Sequence, residues 1–451
     1  MGVDDMTRFE SRGCSFIIAI AMLVFVLPIS IVNAQTKTLS DAILKTSNAT
    51  SMESNGNVSL TFKAEGLSNQ EQQDFEMISE ILNNFQVNFN SKVSGNSDGT
   101  ISRQYVKMSA NIAGSPYSGE VWSDINLAGK TPIVKGIVKS PQLFEMMLSP
   151  DYKNKYMLLD FAQIENMPEM QGQLGSMDFG KMMGENKELQ GMIITLIEKY
   201  SSQLGSNYDF ISHNGNAYNV KISDAQFKDM IRNVVNLTAK NKAIQNIISD
   251  LIVSQMKNSG ATTQEINTTS SDMKQMFVTL ESQEFLDQFN QTMDKLRDVK
   301  ILGDQGIDIT YTIDENGYVI KTKGVIEVVI DMAKLNKVFG EDVMSASSAS
   351  EIIPTGIYTV GIGFDVNNSN INGNVNIVLP TLTSANSFTI SELLNELQQD
   401  PQEEPLPAVI THTVTGGQLP KTSTHLYDVL LIGAILMLIG VISLKSRKHY
   451  E

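Results

Sequence analysis

The chain has 451 residues, 41% of them hydrophobic, with 34 basic and 50 acidic side chains and a net charge of −16. An acidic surface repels phosphate backbones, and no basic patch interleaved with aromatics is present, so nucleic acid is excluded as a partner. One cysteine, Cys14, and four histidines exclude Cys-based zinc sites, multi-histidine metal sites, thiol nucleophiles and redox pairs.

Arg8 and Arg12 precede an apolar stretch from Phe16 to Ile31, which ends in Val32-Asn33-Ala34 before Gln35. A basic region, an apolar core and small residues at the cut predict a secretory signal peptide over 1–34, cleaved between Ala34 and Gln35. Cys14 lies ahead of the apolar core, whereas a lipoprotein cysteine follows it, so lipidation is not expected.

Residues 35–57 are polar and rich in Ser, Thr and Asn, and are expected as a loose lead-in. The alternation of Leu60, Phe62 and Ala64 predicts a strand over Val58–Gly66, and a helix follows over Gln70–Asn84. Gln86–Ser94 and Ile101–Ile112 flank Asn96-Ser97-Asp98-Gly99, a hairpin. Further strands are predicted at Tyr117–Leu127, Pro132–Val138 and Lys155–Phe161. Beyond Phe161 the chain is rich in Met, Gln and Gly, with a helix over Lys187–Leu204.

A hairpin at Tyr208–Ser212 and Ala217–Ile222 turns on Asn214-Gly215. Ser223 with Gln226 forms a capping box opening a helix with Phe227, Met230, Ile231, Val234 and Val235 on one face. A second helix carries Ile244, Ile247, Ile248, Leu251 and Ile252 and breaks at Gly260. A third is expected from about Ser271 to Arg297. Strands resume at Ile307–Ile313 and Tyr318–Ile330 around Asp314-Glu315-Asn316-Gly317, followed by a short helix over Met332–Phe339. A last hairpin is expected between Thr355–Phe364 and Asn372–Leu379. The expected fold is α+β: one body over 58–380, in which a long, curved, half-barrel-like antiparallel meander wraps a helical block at about 187–297. Residues 381–418 are expected as an acidic, Pro-containing linker.

No nucleophile-elbow, metalloprotease or phosphate-loop motif is present. His213 sits beside a turn and reads as a solvated residue. Asp365–Asn376 superficially resembles a calcium loop, but Asn370 stands where glycine is wanted and Asn376 where a bidentate Glu is wanted, so it reads as an Asn-rich turn. With one tryptophan, Trp122, and no aromatic run suited to sugars, no enzymatic activity, catalytic residue, metal or cofactor is expected.

The methionines are unusual. Met146, Met147, Met167, Met170, Met182 and Met183, with Met157, Met177 and Met192, crowd one segment. Ordinary core packing and an adaptable apolar groove are both open readings. Thioether binding of Cu(I), with no His or Cys to assist, is the weakest.

The C-terminal end carries Leu419-Pro420-Lys421-Thr422-Ser423. An apolar run over 426–444 follows, with Val429–Leu444 uninterrupted, and then a 445–451 tail with Lys445, Arg447 and Lys448. That run matches a bilayer in length, and the basic cluster fits the cytoplasmic side. The order resembles the cell-wall sorting signal of Gram-positive surface proteins. The resemblance implies that a sortase cuts after Thr422 and joins it to a cell-wall peptide amine, leaving the mature chain between Gln35 and Thr422. Ser423 departs from the usual glycine, which bears on which sortase acts. An uncut membrane anchor is the alternative. The meander VSLTFKAEG, ISRQYVKMSANI, EVWSDINL and KYMLLDF with inserted helices looks, in architecture only, like the open half-barrel of bacterial lipoprotein-carrier and lipid-binding surface proteins. Three readings of the body follow: a surface interaction module, a carrier of an apolar acyl or lipid ligand, and a wall-active hydrolase. A linker of 39 residues from Pro380 to Gln418 reaches at most about 130 Å, favouring a body that works in or near the wall.

Overall fold

Alternating side chains and turn residues build most of this chain into one sheet. The computed structural model describes residues 34–97, 100–112, 115–128, 133–139, 150–160, 210–258, 261–339 and 356–393, together with helical residues at 192, 195–196, 199–200 and 203. In chain order, α1 (Ala34–Ser47), β1 (Ser51–Glu65) and α2 (Asn69–Asn83) come first. They precede β2 (Gln86–Gly95), β3 (Ile101–Ile112), β4 (Ser115–Asn126), β5 (Ile133–Lys139) and β6 (Tyr156–Asp160). The hairpin β7 (Ile211–Asn214) and β8 (Ala217–Ile222) opens a run of helices: α3 (Asp224–Lys240), α4 (Lys242–Asn258), α5 (Thr263–Leu280) and α6 (Gln283–Lys295). Last come β9 (Leu302–Ile313), β10 (Val319–Asp331), α7 (Met332–Phe339), β11 (Ile357–Ser369) and β12 (Ser387–Thr389).

The twelve strands form one curved, open sheet in the order β12-β6-β5-β4-β3-β2-β1-β11-β10-β9-β8-β7. Every ladder is antiparallel except β12 with β6. The mixed α+β class and the long antiparallel meander are as the sequence predicts. The joint in the middle is non-local: β1 pairs with β11 from Glu53↔Ser369 to Glu65↔Ile357.

Residues facing each other across antiparallel ladders share a face of the sheet. On one face at the β7–β10 end, Val220, Ile222 and Ile307 meet Phe227, Val234, Ile244, Phe277 and Phe289 of α3 to α6 in the main core. Each such buried aliphatic or aromatic side chain contributes about 1.5–3 kcal/mol. Ser223 accepts from Gln226 N, the expected capping box. Gly306 has a φ of +60°, and an added Cβ would stand 2.3 Å from Ile222 O, so the bend in β9 admits no other residue.

Several expectations are corrected. Residues 35–57 are not a loose lead-in. α1 buries Leu39 and Ala42 in the core, Thr46 Oγ1 accepts from Val319 N at 2.7 Å, and Lys45 lies over the Tyr318 ring. β1 starts at Ser51, because the ladders to β2 and β11 satisfy its backbone whatever its polar side chains. The third helix is two: Ser282 caps α6 by accepting from Phe285 N, and α5 starts at a Thr262/Glu265 capping box.

The hairpin expected at Asn372–Leu379 does not form. β11 instead runs on to Ser369, Asn370 and Asn372 take left-handed φ of 52° and 55°, and the chain leaves the ladder. Asp365 therefore belongs to a strand, ion-paired with Lys321 at 3.3 Å, and not to a calcium loop. The expected linker from 381 begins later, since Phe388 of β12 is buried against Tyr152 with ring centroids 4.4 Å apart.

Candidate functional site

The two faces of the sheet differ in chemistry. On one, ion pairs cross the ladders: Lys92–Glu53 at 3.1 Å, Arg103–Asp124 at 2.9 Å, Lys107–Glu120 at 3.6 Å, Lys135–Asp160 at 3.3 Å and Lys221–Asp308 at 3.7 Å. Lys321–Asp365 shares this face. Exposed pairs of this kind each contribute at most about 1 kcal/mol. Their larger effect is on register, because a one-residue slip would turn every charge to the other side. Trp122, Tyr105 and Ile137 also lie on this face, covered by Val375 and Ile377 of the segment that follows β11.

The opposite face is the one that carries the helices at its β7–β10 end. Its register continues through Ile362 and Phe364 of β11, Val58 and Leu60 of β1, Val87 and Phe89 of β2, Val106 and Met108 of β3, Val121 of β4, Val138 of β5 and Met157 of β6. Most of these side chains are half-buried; Val87 is fully buried, as are Met52 and Val93 on the same face. They belong to neither buried core cluster. α2 reaches one margin, where Phe75 packs on Phe62 with centroids 4.9 Å apart. An apolar surface seven strands wide, backed by a charged face, is the most distinctive chemical feature of the described residues.

Polar groups interrupt this face at several places, Ser91 of β2 and Ser123 of β4 among them. Ser54 Oγ donates to Asn368 Oδ1 at 2.8 Å, and Asn368 Nδ2 donates to Val319 O, so those groups are satisfied. Ser102 and Gln104, two residues apart in β3, are 1% and 5% exposed, yet Ser102 Oγ and Gln104 Nε2 have no hydrogen-bond partner. An unmet buried polar group costs about 1–3 kcal/mol. These two residues escape sequence reading. Ile101 and Tyr105 are apolar on the other face, so alternation alone does not say which side of β3 is buried.

The residues singled out in the sequence are placed as follows. Met157 is half-buried on the apolar face, and Met108 joins it there. Met146, Met147, Met167, Met170, Met182 and Met183 lie outside the described residues, as do Leu419, Pro420, Lys421, Thr422, Ser423, the run from Val429 to Leu444, and Lys445, Arg447 and Lys448. Ala34 and Gln35 open α1. His213 is exposed in β7 and stacks on Tyr218 at 5.8 Å. Among the described residues, no three His, Cys, Asp or Glu side chains group as a metal site, and no helix is long and apolar enough to cross a membrane.

Two concavities lie elsewhere, one beside β7 and β8 with Ser212, Asn219 and Lys221, the other at the α4–α5 turn with Thr262, Gln264 and Thr268. Both are open, and their linings mix polar side chains with Phe210 and Ile211 in the first and Met256 and Ala261 in the second, as ordinary surface does. Burial pushes the Tyr311 phenol up to about 12, a sign of how dry this face becomes where the helices cover it. The chain matches no protein-family model, no curated protein and no solved structure.

Proposed function

We propose that this chain is an exported, cell-wall-anchored surface protein whose body binds an apolar, acyl-type ligand. The ligand lies on the uncharged face of the sheet, which curves as a half-barrel around the helical block. The observation that carries this reading is the segregation of charge. Ion pairs are confined to one face, while Val58, Phe89, Val106, Met108 and Val121 give the other a continuous half-buried apolar surface. An apolar patch of this extent needs a cover, and a soluble chain leaves one open only where something binds.

Native mass spectrometry of the protein purified from a bacterial host tests the reading. An adduct of several hundred daltons that organic extraction removes is expected. An apo mass, with delipidated protein that takes up no fluorescent fatty acid, would contradict it and leave the surface interaction module as the better account. Support for anchoring comes from Leu419-Pro420-Lys421-Thr422-Ser423 ahead of an apolar run and basic residues. Thr422→Ala is expected to shift the protein from the wall to the membrane fraction. An unchanged distribution would favour a plain membrane anchor.

A further inference from the structure

The unpartnered pair on β3 points to the class of ligand, and this inference rests on the acyl-ligand reading above. Ser102 and Gln104 lie two residues apart on one face of a strand, hence about 6.8 Å from each other. Both are more than nine-tenths buried, and both present donor capacity that nothing in the structure uses. Across the ladders Ser102 pairs with Gly95 and Ile125, and Gln104 with Val93 and Ser123, none of which hydrogen-bonds to the two groups. Further along β3 on the same face come Val106 and Met108, so polar and apolar subsites lie in line.

The charge placement sets the sign of what fits. Lys92, Arg103, Lys107 and Lys135 leave these strands on the other face and are each paired with a carboxylate there. A carboxylate or phosphate brought to Ser102 and Gln104 would lose its water without gaining a cation. An uncharged carbonyl oxygen loses far less, and accepts from a hydroxyl and an amide N–H equally well. We propose that Ser102 Oγ and Gln104 Nε2 hold the ester oxygens of a neutral acyl ester, with its chains running along Val106 and Met108, and that the site selects against ionised lipids.

The test compares dioleoylglycerol, oleate and dioleoyl phosphatidic acid as probes against the full chain, delipidated, alongside Gln104→Met and Ser102→Ala. Wild type is expected to prefer dioleoylglycerol at least tenfold over both anions. Each variant should lose at least tenfold in dioleoylglycerol affinity while retaining its affinity for oleate. Because each substitution removes an unmet polar group, unliganded thermal stability should hold or rise, which separates the effect from misfolding. A preference for either anion, or undiminished dioleoylglycerol binding in both variants, would overturn the inference while leaving the acyl-ligand reading in place. Failure of all three probes to bind would overturn both.

Discussion

Val106→Glu is expected to weaken binding of a fluorescent fatty acid at least tenfold, about 1.4 kcal/mol, whereas Lys107→Ala, one residue along, leaves it unchanged. The two side chains are neighbours in β3 but leave the sheet on opposite sides: Val106 pairs with Val121 and Ser91 on the apolar face, and Lys107 meets Glu120 across the charged one. A carboxylate at 106 would put an unpaired charge where the proposed acyl chain would lie, and desolvating it costs more than the contact returns. Losing the Lys107–Glu120 pair removes an exposed interaction contributing at most about 1 kcal/mol to stability. Equal losses from both substitutions would mean that binding depends on overall stability and not on one face.

Asp224→Ala is expected to cost about 3 kcal/mol of stability. Asp224 Oδ2 lies 2.6 Å from Lys228 Nζ, and its Oδ1 accepts from Ile301 N at 2.7 Å and Leu302 N at 2.8 Å. The Lys228 side chain is 8% exposed and also donates to Arg297 O at 3.1 Å. Removing the carboxylate therefore strands a buried ammonium and frees two backbone donors where β9 begins. Lys228→Met added to Asp224→Ala should restore much of the loss, since the stranded charge is then gone.

Burial alone would raise the Asp224 carboxyl, but hydrogen bonds from Lys228, Leu302 N and Ile301 N, together with the Lys228 charge, outweigh it and hold it below the usual range. Its contribution is thus complete above the ordinary aspartate value of about 3.9 and is lost as the pH falls through the lower folded value. Wild-type melting temperature should drop in that acid window and the double variant should drop less. Parallel acid profiles for the two would remove Asp224 as a stabilising group.

Where local chemistry determined the outcome, the sequence was readable. Leu60, Phe62 and Ala64 alternate as a strand must, Asn214-Gly215 and Asn316-Gly317 turn hairpins, and Ser223 with Gln226 caps α3. Where tertiary partners decided, it was not. Ser51–Asn57 has the side chains of a coil and becomes strand because β2 and β11 complete its ladders. Val375, Ile377 and Leu379 alternate like a strand, but two left-handed asparagines steer them off the sheet and over Trp122.

α1 did leave a signal. Leu39, Ala42, Ile43 and Thr46 stand at helical spacing, hidden by the polar residues between them. The apolar face was half legible. Alternation shows that each strand has an apolar side, but only the pairing of β1 with β11 shows that these sides join into one surface.

Photo-cross-linking with a diazirine-bearing fatty acid, mapped by tandem mass spectrometry, tests the central claim most directly. Adducts are expected on the apolar-face residues of β1 to β4 and β11, such as Val58, Phe89, Val106, Met108 and Phe364. None is expected on Tyr105, Trp122 or Ile137 behind them. Adducts confined to the charged face, or spread evenly over both, would contradict the assignment of that face as the ligand-binding surface.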